Sequence, residues 1–198
     1  RHLFISIHIY RYMEEIIWFK DCSYKNKHLV GGKCSSLGEL HSISRKIGFS
    51  IGDGFALTIN MYEDFIKFNK IEGKIDKLLD KIDISNIVEL EKISLEIKKL
   101  ISNSIFNDNQ SNKIINYYNK LSQIYGNSNI EVAVRSSALA EDLPNASFAG
   151  QHDTFLNISG EHNLLNAVKD CFASLYNSRA ISYRKSHNIE SCDVKISV

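Results

Sequence analysis

The sequence lacks the spacings that a metal or disulfide framework would need. Its four cysteines, Cys22, Cys34, Cys171 and Cys192, include no CxxC and no close pair, and its seven histidines form no HxxxH. A zinc site is excluded on that ground, and free thiols in a reducing cytoplasm are expected, each read as a small buried apolar residue. No apolar run reaches the length of a membrane-spanning helix. Charge of one sign is also missing. The formal net charge is +1 and no dense basic stripe appears, so neither a nucleic acid nor a membrane follows as partner. Proline is nearly absent, with Pro144 alone. What is present is 43% apolar residues in 198, enough for a real core in one large domain or two small ones.

Residues 1–12, RHLFISIHIYRY, precede the first methionine, Met13. They are apolar with scattered basic residues, and no small-residue cleavage site follows them. They read as a non-domain upstream segment rather than a signal peptide, which leaves 13–198 as the domain. Within it, Glu15 to Phe19 reads as a short buried strand. Leu29 to Lys33 reads as a turn. Leu37, Leu40, Ile43 and Ile47 mark a helical face over 35–47, closed by Gly48. Phe55 to Thr58 is a second strand after the turn Asp53-Gly54, and Asn60 is the expected N-cap of the next helix. From Ile71 to Tyr125 the period is helical throughout, as in Ile87, Leu90, Ile93, Ile97 and Leu100. This predicts an inserted layer of about three helices with solvated charged faces. Residues 161–183 read as one further helix, with Leu164, Val168, Cys171, Phe172, Leu175 and Arg179 along a stripe. A last strand begins at Asp193 and the chain stops inside it, which is the pattern expected of a fragment.

Two stretches carry chemistry. Val132-Ala133-Val134 is an apolar run ending on Arg135. A small-residue, polar loop follows from Ser136 to Gly150, and then a second strand-like run over 154–158. A guanidinium fixed at a strand end suits bidentate phosphate binding. It suits equally a pair with Glu141 or Asp142. Gly150 permits close backbone approach, and Thr154, Ser136, Ser137 and Ser147 offer hydroxyls. His152 lacks a placed partner and reads as an ordinary loop histidine. Glu141 and Asp142 read as solvated loop acids rather than metal ligands. Far upstream, Gly31-Gly32-Lys33 stands between a strand and a helix. There, close backbone approach, a helix N-terminus and an amine suit a polyphosphate. It is not a GxxxxGK[ST] loop, since Cys34 follows the lysine. Taken alone it reads as a turn with an exposed lysine.

Taken together, VGGKCSSLGEL, GFALT, VAVRSSALAEDLPNASFAGQHDTFLN and FASLYNSRAISYRK, in this order, resemble the N-terminal nucleotide-binding region of the phosphoenolpyruvate synthases (pyruvate, water dikinases). The resemblance runs from about Ile16 to Val198. Rifampicin phosphotransferase shares the GGK and VRSSA patterns and is the alternative. Pyruvate, phosphate dikinase fits less well, and a non-catalytic nucleotide-binding module is a third reading.

The resemblance implies an α+β chain forming the first subdomain of an ATP-grasp fold. It implies that Lys33 and Arg135 contact ATP phosphates and that Gly150 and Thr154 belong to a phosphate-covering loop. Ser136, Gln151 and Asp153 are weaker candidates for the ATP site. No catalytic residue and no metal ligand is expected within this chain; the ligands of Mg2+ would lie beyond it. In the family a histidine on a separate swivelling domain carries phosphoryl from ATP to pyruvate, giving AMP, phosphate and phosphoenolpyruvate. The resemblance implies a cytoplasmic full-length enzyme, with a homodimer as a further partner state. Two departures stand out: Cys34 after the lysine, and residues 49–54, FSIGDG, where the family has proline. The second is expected only to loosen a connection before the strand.

Overall fold

The computed structural model describes residues 14–138, 153–189 and 195–198, the side chain of Arg45 excepted. Among the described residues, six short strands and seven α-helices form an α+β arrangement. Strand β1 (Ile16–Trp18) pairs antiparallel with β2 (Phe55–Leu57), with Ile16 opposite Leu57 and Ile17 opposite Ala56. Side chains alternate faces along a strand. Ile16 and Leu57 therefore enter the main core, while Ile17 and Ala56 enter a smaller cluster with Cys22, Leu29, Val30, Cys34 and Ile59. The pair is buried on both faces, which is why its sequence runs apolar rather than alternating.

Helix α1 (Lys27–Ile47) is broken at Gly31, whose φ of 72° and ψ of 176° are non-helical. The chain enters the long helical segment directly after that break, and Gly48 closes it at φ 78° with its N–H bonded to the carbonyl of Ser44. Helix α2 (Ile59–Phe68) starts two residues earlier than the sequence suggests. Its N-cap is Thr58, not Asn60. The Thr58 hydroxyl makes no cap bond and donates instead to the Glu14 carbonyl at 2.7 Å, so a tertiary contact outcompetes the local one.

Helices α3 (Glu72–Asp80), α4 (Ile87–Ser102) and α5 (Asp108–Ile124) occupy the region of helical periodicity. Asn86 and Asn107 cap the last two through their side chains, and Asn107 forms a reciprocal capping box with Gln110. Ile97, Ile101, Ile114 and Tyr118 are fully buried in the same core as Phe65 and Phe172. The centre of that core is the aromatic trio Phe65, Phe106 and Phe172, with ring centroids 4.8 to 6.1 Å apart. Burying a phenylalanine of this kind is worth roughly 1.5–3 kcal/mol.

Strand β3 (Val132–Arg135) pairs antiparallel with β5 (Thr154–Ile158), and β4 (Ser137–Ala138) with β6 (Ile196–Ser197). Leu57 and Val198 exchange two backbone hydrogen bonds, of 2.7 and 3.0 Å, so β6 sits between β2 and β4. The helical reading of 161–183 divides in two, α6 (Glu161–Ser174) and α7 (Ser178–Ser186). Side chains of α4 hold the break: Ser94 donates to the Tyr176 carbonyl at 2.6 Å, and the Lys98 amine to Asn177 Oδ1 at 2.9 Å. A stripe pattern cannot show such a break, because it records which face is buried and not where a neighbour claims a backbone carbonyl. Among the described residues no helix is long and apolar enough to cross a membrane.

Candidate functional site

Lys33 and Arg135, separated in the chain by α2 to α5, line one cavity of about 470 Å³. Its size is that of a small-molecule site. Much of the wall is apolar, including Leu37, Leu57, Leu121, Leu164, Val134 and Val168. Both cationic side chains are exposed. Among the described residues no acid makes an ion pair with Arg135. Glu141 and Asp142, its alternative partners, lie outside the described residues.

Each wall has a local cause. Gly31 lets the backbone turn just before Lys33, and nothing larger fits there. A Cβ on Gly31 would stand 2.4 Å from both the carbonyl oxygen and the hydroxyl of Ser137. The one hydrogen of the Ser197 hydroxyl is shared between the carbonyls of Val30 and Ser137, so β6 holds the α1 break against β4. Opposite, β5 carries one residue more than β3 between the pairs Val132–Ile158 and Val134–Phe155. Asn157 accommodates the bulge at φ 56°. The bulge sets Thr154 directly across from Arg135, with both side chains on one face. Asp153, partly buried, precedes it. Ser136 and Ser137 are buried and line the cavity. Among the described residues the Ser137 hydroxyl has only the weak Cys34 thiol beside it, a polar atom poorly satisfied in the wall. Gly150 and Gln151 lie outside the described residues.

Cys34 lines the same wall but is 5% exposed. Burial pushes its thiol up to about 11, against the pull of the Ser137 hydroxyl, the Lys33 charge and Ser197. At neutral pH it is an inert thiol rather than a nucleophile. Cys22 and Cys171 are also free and buried, while Cys192 lies outside the described residues. Among the described residues no three His, Cys, Asp or Glu side chains gather where a metal would sit.

The sequence reading missed one group. Asp53 lines the cavity, and its Oδ1 is 2.8 Å from Nε2 of His41 on α1. Its backbone N–H donates to the Tyr125 hydroxyl at 2.8 Å. The segment 49–54 thereby brings a carboxylate to the cavity. No signal in the sequence pairs positions 41, 53 and 125, because the contacts are tertiary.

Residues 27–198 match the family model described as the pyruvate phosphate dikinase AMP/ATP-binding domain. The chain is 43% identical over 186 residues to a phosphoenolpyruvate synthase of Helicobacter pylori, covering 94% of this chain and 23% of the relative. It is 39% identical over 183 residues to that of Aquifex aeolicus (92% and 21%) and 40% identical over 182 residues to that of Escherichia coli (92% and 23%). The chain thus spans between a fifth and a quarter of the length of these curated relatives.

Proposed function

The chain belongs to the pyruvate phosphate dikinase AMP/ATP-binding domain family, and from that membership we propose that it is the ATP-binding portion of a phosphoenolpyruvate synthase. One observation carries the assignment of the site: Lys33 and Arg135, from distant segments, converge on one cavity beside the buried Ser137 hydroxyl. In this reading the lysine and arginine take the phosphate oxygens. Thr154, facing the same way as Arg135, joins them, with Ser136, Gly150, Gln151 and Asp153 as further ATP contacts. Phosphoryl transfer depends chiefly on positioning and charge neutralisation, and these residues supply both. The apolar wall takes the base and excludes water.

The fold of this reading is the first subdomain of an ATP-grasp pair, acting in the cytoplasm. In this reading the remaining nucleotide contacts, the Mg2+ ligands, the swivelling histidine and the pyruvate site would be supplied by further parts of the full-length protein. The whole protein, possessing them and paired as a homodimer, would convert ATP, pyruvate and water to AMP, phosphate and phosphoenolpyruvate. No phosphoryl transfer is assigned to the chain by itself.

Calorimetric titration with ATP tests the site. Lys33→Ala and Arg135→Ala should each weaken binding about tenfold or more, the scale of a charge-assisted hydrogen bond. Unchanged affinity in both variants would remove the shared phosphate site. For the full-length protein, pyruvate-dependent release of AMP is expected. Release dependent on rifampicin instead would reassign the acceptor.

A further inference from the structure

We propose that Asp53 reads the nucleoside end of the ligand, accepting a hydrogen bond from a ribose hydroxyl or from the exocyclic amine of the base. The proposal rests on the nucleotide reading of the cavity and deepens it. A nucleotide has one anionic end and one neutral end rich in O–H and N–H donors. The cavity wall has both kinds of complement: cationic Lys33 and Arg135, and two carboxylates, the exposed Glu131 and Asp53, of which Asp53 is the one held in place by His41 and Tyr125. A carboxylate repels phosphate oxygens and accepts from neutral donors, so the two ends sort themselves by charge.

The spacing agrees with that sorting. Lys33, Leu37 and His41 follow one another at intervals of four along α1, a continuous stripe. Lys33 and Leu37 line the cavity, and His41 holds the carboxylate that lines it further along. At 1.5 Å per residue, Lys33 and His41 lie about 12 Å apart along the helix. That is the order of separation between a terminal phosphate and the sugar it is carried on.

Asp53 is also held as a recognition residue should be. A carboxylate only accepts, so the hydrogen lies on His41 Nε2, which fixes Oδ1, while Tyr125 fixes the backbone. Oδ2 hydrogen-bonds to no described residue. His41 is 11% exposed in its side chain against 36% for Asp53, so the buried member orients and the open member contacts. His41 and Tyr125 are positioning residues in this scheme, and of the three only Asp53 touches ligand.

The test compares inorganic tripolyphosphate, ATP, 2′-deoxy-ATP, 3′-deoxy-ATP and inosine triphosphate by calorimetric titration of the chain. ATP should bind more tightly than tripolyphosphate, and at least one analogue lacking a donor should bind about tenfold more weakly than ATP. The deoxy analogues report a sugar contact, and inosine triphosphate reports a base contact. In Asp53→Ala that discrimination should vanish, while tripolyphosphate affinity holds or rises because an acid has left a polyanion site. His41→Leu should shrink the discrimination without touching tripolyphosphate. If Asp53→Ala keeps the discrimination, the inference is overturned. If it loses tripolyphosphate and ATP alike, Asp53 shapes the cavity and reads nothing, which overturns it equally. A wild-type chain that binds tripolyphosphate but shows no preference for ATP overturns this inference alone. One that binds neither removes the phosphate site, and this inference falls with it.

Discussion

Gly31 and Ser137 meet where the Lys33 segment crosses β4, so closely that a Cβ on Gly31 would overlap the Ser137 carbonyl and hydroxyl at 2.4 Å. The glycine is demanded twice, by this approach and by its φ of 72°. Gly31→Ala should therefore destabilise the chain by about 1–3 kcal/mol. It should also weaken tripolyphosphate binding, because Lys33 follows two residues later. Urea denaturation and calorimetric titration report the two effects, and a variant as stable as wild type would mean that the turn has room to relax.

Among the described residues the buried Ser137 hydroxyl has only the weak Cys34 thiol as a partner. A group poorly satisfied in the free protein gives up little in stability when removed, but is missed when a ligand would have satisfied it. Ser137→Ala should leave the urea midpoint unchanged or raised and lower ATP affinity several-fold. Lost stability with full affinity would show the hydroxyl to be structural.

The buried hydroxyls of Tyr62 and Tyr176 face each other at 2.8 Å. Burial pushes both phenols up from their ordinary value. Tyr62→Phe and Tyr176→Phe should each cost about 1–3 kcal/mol by stranding the other hydroxyl. The double variant should cost less than the sum of the two singles. Strict additivity in denaturant titrations would contradict the pairing.

Cys34 sets a pH dependence. Its thiol is pushed up to about 11 from an ordinary 9.0, chiefly by burial. Above pH 9 the unfolded chain loses a proton that the folded chain keeps. The stabilisation is thus full below pH 9 and is lost as pH rises toward 11. Cys22, pushed up to about 12, acts in the same direction. The midpoint of urea unfolding should fall between pH 9 and 11, and less steeply in Cys34→Ser. Parallel slopes in the two proteins would remove Cys34 as a source.

Much of the fold was legible in local pattern. Helical periodicity placed α3, α4 and α5, and the apolar run before Arg135 placed β3. Those signals work because burial of one face imposes a period on the sequence. Boundaries set by distant partners were not legible. Thr58 replaced Asn60 at the start of α2 because Glu14 offers its hydroxyl a carbonyl, and α6 ends at Ser174 because α4 takes the carbonyl and side chain beyond it.

By itself the sequence determined the α+β class, the strand leading to Arg135 and the likeness to a family of ATP-binding domains, whereas the turn read over 29–33 is a break at Gly31 inside a helix that already starts at Lys27. Only the tertiary structure decided that Lys33 and Arg135 share a cavity, that Leu57 and Val198 zip two strand pairs together, and that Asp53 enters the wall on the arm of His41. The reason is physical. A residue's own neighbours fix its period and backbone, whereas a meeting of distant segments depends on how the core closes between them, and that closure leaves no spacing in the chain.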